Sequence, residues 1–129
     1  FLPASKINGA SVREAVVSDG CVITDATIER AVVGIRSVIE SGSVVRNCVM
    51  MGSDFFDSES VRQPGQPALG VGRNCHIENA IIDKNARIGD HVCINPAGKP
   101  ESMDGENFFI RDGIVVIPKS AVIPSGSVI

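Results

Sequence analysis

The sequence has no cluster of basic residues. Its 12 Lys and Arg are scattered among 15 Asp and Glu, for a formal charge of −3, and without a cationic stripe no nucleic-acid partner is expected. It also has no apolar run near the ~20 residues that cross a bilayer as a helix, so a soluble chain with no membrane partner is expected. Cys21, Cys48, Cys75 and Cys93 lie far apart, with no CxxC pair and no signal peptide. That spacing points to reduced thiols in a reducing compartment and away from zinc. Histidine is confined to His76 and His91, too few for a metal centre built on three His ligands. A length of 129 residues gives one domain, residues 1–129, with a real core. The opening FLPAS, without Met, is what a piece cut from a longer protein would show.

What is present is a spacing of six. Val17 and Ile23 are six apart, as are Val33, Ile39 and Val45, then Val71 and Ile77, then Ile82, Ile88 and Ile94, and finally Ile117, Ile123 and Ile129. Neither strand alternation by two nor the helical 3.6 accounts for this, and the missing alternation argues against an antiparallel β-sandwich. A hexapeptide repeat predicts an all-β, left-handed parallel β-helix in which three hexads close one triangular coil. Four residues after these aliphatics come small side chains: Cys21, Thr27, Ser37, Ser43, Cys75, Ala86, Ala121 and Ser127. They are expected to fill a second inward slot. One residue after them come turn formers such as Gly34, Glu40, Gly72, Gly89, Pro118 and Pro124. At a turn, proline's fixed φ helps and no ladder hydrogen bond is lost.

The period slips in places. VVSDG at Val16 recurs as VVGIR at Val32, sixteen residues on, which predicts one triangle side shortened by two; REAV marks a similar short side. The stretches 53–68 and 95–112, rich in Pro, Gly and acids, break the repeat and are expected to leave the coil as loop insertions. Phe55 and Phe56 in the first are expected to cap an open coil edge. Val22, Ile28, Val38, Val44, Val122 and Val128 fall in the outward slot, which predicts an outer face covered by another domain or subunit.

The words VVGIRS (32–37), MMGSDFF (50–56), GVGRNCHIENAIIDKNARIGD (70–90), IRDGIVVI (110–117) and AVIPSG (121–126) resemble the C-terminal β-helix domain of glucose-1-phosphate adenylyltransferases of the plant-like branch. The resemblance implies an enzyme that makes ADP-glucose and pyrophosphate from ATP and glucose 1-phosphate for starch or glycogen synthesis, with Mg2+ as cofactor. That chemistry belongs to an N-terminal nucleotidyltransferase domain, and this chain carries no Gly-rich phosphate loop and no carboxylate cluster for it. No catalytic residue, metal ligand or cofactor is therefore assigned to the chain itself. By resemblance its role is regulation and oligomerisation. Its partners would be its own catalytic domain, the other subunits of a tetramer, and phosphorylated small-molecule effectors, in a plastid or a bacterial cytoplasm. The effector-site lysines fall on Lys84 and Lys119, flexible cations beside turns and suited to phosphate. Arg73, Arg87 and Arg111 are candidates for further contacts. Pro118 and Ser120 stand where the family's small-subunit pattern has an aliphatic residue and an acid, and they are expected to re-aim Lys119.

Two other function classes compete. A stand-alone hexapeptide acyltransferase needs a catalytic His in a cleft between coils. His76 sits in an outward slot and His91 in a turn, and no neighbouring acid is expected to orient either ring. A purely structural module would have the coil without anion binding. Cys21 and Cys75 are assigned to packing, with Cys48 and Cys93 less constrained.

Overall fold

The structure, a computed structural model, describes residues 2–57 and 62–129. Phe1 and the centre of the 53–68 insertion, residues 58–61, lie outside the described residues. Short strands follow one another along the chain. They are β1 (Lys6–Asn8), β2 (Ser11–Arg13), β3 (Val16–Val17), β4 (Val22–Thr24), β5 (Thr27–Val33), β6 (Val38–Ile39), β7 (Val44–Met50) and β8 (Gly70–Val71), then β9 (His76–Ile82), β10 (Arg87–Ile88), β11 (Cys93–Ile94), β12 (Met103–Asp104), β13 (Phe109–Arg111), β14 (Ile114–Ile117) and β15 (Val122–Ile123). Each pairs in parallel with the strand one coil away, apart from an antiparallel run through β12, β13 and β14.

The register stacks the inward aliphatics in three columns. On the first side Ile7, Ile23, Ile39, Val71, Ile88 and Ile123 lie in line across the six-stranded sheet β1-β4-β6-β8-β10-β15. The second side stacks Val12, Ile28, Val45, Ile77 and Ile94, and Ile129 joins its end through Cys93 and Val128. The third stacks Val17, Val33, Met50, Ile82 and Ile117. From Ile23 onward these side chains are buried, whereas in the first coil Ile7 is exposed and Val12 and Val17 are half-buried. At roughly 2 kcal/mol for each aliphatic side chain removed from water, the columns are the main source of stability.

Corner geometry follows a simple rule. Where two inward aliphatics are six apart, the third residue after the first has positive φ: Gly20, Arg36, Gly42, Asn74, Asn85, His91, Ser120 and Gly126. Where they are five apart it is the second: Gly9, Glu14, Asp25, Arg30, Asn47 and Asn79. A left-handed residue turns the chain by one side of the triangle, and Gly and Asn tolerate that conformation best. The turn formers read one residue after the aliphatic therefore sit before the bend, not at it. Gly34 is needed there for lack of bulk, because a Cβ on it would lie 2.6 Å from the backbone of Met51 in the next coil.

Five-residue sides correct two expectations. The sixteen-residue coil from Ile23 to Ile39 has two sides each short by one, at Ile28 and Val33, not one side short by two. Ile28 is thus a core residue with no exposure, not an outward one, and Ala26 takes the small inward slot assigned to Thr27. Ala31, Cys48, Ala80 and Val115 form a further inward row beside the third column, all buried. Cys48 is as constrained as Cys21 and Cys75.

The outer face of the third side carries its own column, Val16, Val32, Val49, Ile81 and Val116 in register. The first three are 63%, 45% and 42% exposed. Of the valines read as outward, Val22, Val38, Val44 and Val122 are half-buried and Val128 is exposed.

Both insertions leave at corners. Within 95–112 the chain forms β12 and β13, which return antiparallel onto β14 and put Ile110 into the core. In the other, Phe55 and Phe56 lie against the flank of the first side, lining a cavity of about 210 Å³ with Arg36, Val38 and Leu69. The Arg36 guanidinium stands 5.6 Å from the Phe56 ring centre. Coils continue on both sides of this point, so the pair covers a side wall and caps no open edge.

Candidate functional site

Lys84 and Lys119 occupy equivalent places on successive coils. Each is two residues past an inward aliphatic, Ile82 and Ile117, and those two are in register. The Ser120 N–H donates to the Lys84 carbonyl at 2.9 Å, locking one turn on the other. The lysines therefore emerge from the same corner about 4.8 Å apart along the axis, the spacing of neighbouring strands. Lys119 is exposed, and Pro118 fixes its turn through a carbonyl that accepts from Ala121 N–H at 3.1 Å.

A carboxylate from the first insertion shares this corner. Asp54 accepts from Lys84 Nζ at 3.0 Å. Asn85 holds it from beside the lysine: its Nδ2 donates to Asp54 Oδ2 at 3.1 Å, and its Oδ1 accepts from the Asp54 backbone N–H at 2.8 Å. Asn85 is itself 8% exposed and left-handed, so it is a rigid bracket. The Lys84 hydrogen bond, then that of Asn85, with the Lys119 charge adding, holds the Asp54 carboxyl below the usual carboxylate range. Asp54 and Asn85 were missed in the sequence. The one signal was Asn at the bend position of IIDKNARIG, next to the lysine.

The three arginines do not join this corner. Arg87 is buried beneath the insertion, paired with Asp57 at 2.9 Å and donating to the Pro67 carbonyl at 3.1 Å. Burial pushes the Asp57 carboxyl up, but the Leu69 N–H and the Arg87 guanidinium outweigh it and hold the group below its usual range. Arg73 lies at the next corner, lining a cavity of about 260 Å³ with Glu40 and Asp90, and its N–H donates to Asp90 Oδ1 at 2.8 Å. Arg111 is on β13, where it pairs with Asp104 at 2.6 Å and lies over Phe109.

His76 does have an acid beside it, contrary to expectation. Its Nε2 is 2.8 Å from Glu78 Oε1, two residues along β9. Glu78 in turn belongs to a ladder of alternating charge, Glu29, Arg46, Glu78, across the outer face of the second side. The His76 hydrogen bond, helped by Arg46, lowers the Glu78 carboxyl. This face is half-buried, and His91 is at a bend. Neither ring lines the cavity beside Phe56 or the one beside Arg73. Burial pushes the Cys48 thiol up to about 11 and raises Cys75 as well, so both are packing groups and not nucleophiles.

Among the described residues no three His, Cys, Asp or Glu side chains converge to hold a metal, and no helix is long and apolar enough to cross a membrane. Residues 1–128 match the family described as the GLGC left-handed parallel β-helix domain. Over 134 aligned residues the chain is 40% identical to the glucose-1-phosphate adenylyltransferase small subunit, chloroplastic/amyloplastic, of Triticum aestivum, covering 99% of this chain and 28% of that relative. The chain thus spans little more than a quarter of the curated relative it matches.

Proposed function

Because this chain belongs to the GLGC left-handed parallel β-helix domain family, we propose that it is the regulatory and oligomerisation part of a glucose-1-phosphate adenylyltransferase. The parent enzyme joins ATP and glucose 1-phosphate into ADP-glucose and pyrophosphate in a plastid, for starch synthesis. The compartment is carried over from the chloroplastic/amyloplastic relative. In this reading Mg2+ serves that reaction in the catalytic domain.

The observation that carries the regulatory reading is the pairing of Lys84 and Lys119 on adjacent coils. Two flexible lysines on turns one strand spacing apart can present up to six N–H donors to one anion, and a phosphate dianion has the charge and the acceptors to bridge them. A phosphorylated sugar-acid activator and orthophosphate share that group and so compete for the same lysines. The parallel ladders beneath hold both turns in register, which keeps the spacing fixed without a bound ligand. The outer column of the third side supports the oligomerisation role, since five β-branched side chains in line form a flat apolar strip.

Lys84→Ala and Lys119→Ala in the full-length protein test the reading. Each is expected to raise the activator concentration for half-maximal response about ten-fold, as loss of one charge-assisted contact does, while turnover without activator stays near the parent's. If both variants respond as the parent does, the lysines are not the effector site.

A further inference from the structure

The Lys84 ammonium is already engaged. Its partner Asp54 lies where an anion bridging Lys84 and Lys119 would approach, and it cannot swing away freely. The start of the insertion is pinned by Ser53 N–H to the Ile35 carbonyl at 2.9 Å and by Arg36 Nη1 to the Ser53 carbonyl at 3.2 Å. Asn85 then grips Asp54 through both backbone and side chain. Lys84, by contrast, is a long side chain, 40% exposed and, among the described residues, held at its tip by Asp54. Of the two partners the lysine is the one free to move.

We propose that Asp54 is a built-in rival of the anionic effector, holding Lys84 in the free state and surrendering it when a phosphate group binds. This rests on the reading of Lys84 and Lys119 as the anion site and adds its regulation. A fixed carboxylate at the site acts twice. It neutralises Lys84 in the free state, and its charge repels the incoming phosphate. Both effects raise the anion concentration needed for binding, and the insertion that supplies Asp54 thereby sets the response threshold of a site built on the coil. Exposed ion pairs of this kind shift equilibria only a few-fold, which is the size of a tuning device and not of a block.

The test is isothermal titration calorimetry of inorganic phosphate into the full-length protein. Asp54→Asn removes the charge and keeps the shape, and it is expected to bind phosphate about three-fold tighter than the parent, the effect of freeing one exposed ion pair. Glu106→Gln, in the other insertion, makes the same change in net charge and is expected to leave affinity unchanged. In a Lys84→Ala background the gain from Asp54→Asn is expected to vanish. Should the Asn variant melt early, Asp54→Ser replaces it as the charge-free form. If Asp54→Asn binds no tighter while Lys84→Ala weakens binding, the rivalry is wrong and the anion site stands. An equal gain from Glu106→Gln also overturns the rivalry. If Lys84→Ala and Lys119→Ala bind phosphate as the parent does, the anion site itself fails, and the rivalry with it.

Discussion

At the scale of single residues, two glycines do different jobs. Gly126 has φ of 79° with nothing within 4 Å of a Cβ built on it, so its requirement is purely conformational. Gly34 needs no left-handed backbone, but a Cβ there would meet Met51 C and O at 2.6 Å. Gly126→Ala should therefore cost about 1 kcal/mol, the price of one left-handed L-residue. Gly34→Ala should cost about 2–3 kcal/mol, because two backbones have to part. Urea unfolding of both variants separates the effects, and equal losses would show that the coils at Gly34 do not approach so closely. Residue-scale detail was the least legible in the sequence. Lys84 and Lys119 stand out through their flanking words, but Asp54 lies thirty residues before Lys84, and nothing local to either ties them together. His76 and Glu78 are two apart in the sequence, and because a strand puts residues i and i+2 on one face, their pairing is legible there.

At the scale of elements, the spacing of six revealed the strands because each inward aliphatic opens or closes one. Five-residue sides were misjudged because a shortened side shifts the inward position by one, so Ile28 read as outward. The bend residue resolves the ambiguity, since Asp25 and Arg30 stand two after the aliphatic where Gly20 and Arg36 stand three after. The insertions were legible as breaks but not as structure. The first is strapped down by Asp57, which joins Arg87 under the loop to the Leu69 N–H at its end. Asp57→Asn leaves a guanidinium that is only 10% exposed facing a neutral group, which should destabilise by about 3 kcal/mol. The pH dependence follows from the lowered carboxyl. Its stabilisation is complete above the unfolded value, about 4, and is lost as pH falls through the lower folded one. Thermal melts from pH 7 down to pH 3 should show the parent losing stability on the acid side and Asp57→Asn losing less. Identical acid limbs would remove Asp57 as a source of that stability.

At the scale of the molecule, the columns make the chain a stiff triangular prism with unlike faces. One is covered by the first insertion, one bears the ladder of Glu29, Arg46 and Glu78, and one exposes the valine strip. If the strip is a subunit contact, Val32→Lys together with Val49→Lys in the full-length protein should shift sedimentation toward smaller species without changing the circular dichroism. An unchanged sedimentation coefficient would show that subunits meet elsewhere. Lys at Val38 or Val44 would probe other walls, since Val38 lies on the first side and Val44 on the second.

The hydrogen bonds between coils run along the prism axis, and the two ends of the chain lie in its first and last layers. Pulling the ends apart therefore loads one interface at a time, like a zip and not like a bolt in shear. Each sixteen-residue coil that lets go pays out roughly 50 Å of slack, at about 3.3 Å or more per residue. A domain strained at its N-terminal end would yield from that end, coil by coil, while the corner bearing Lys84 and Lys119 kept its shape until the layer at Ile82 was reached.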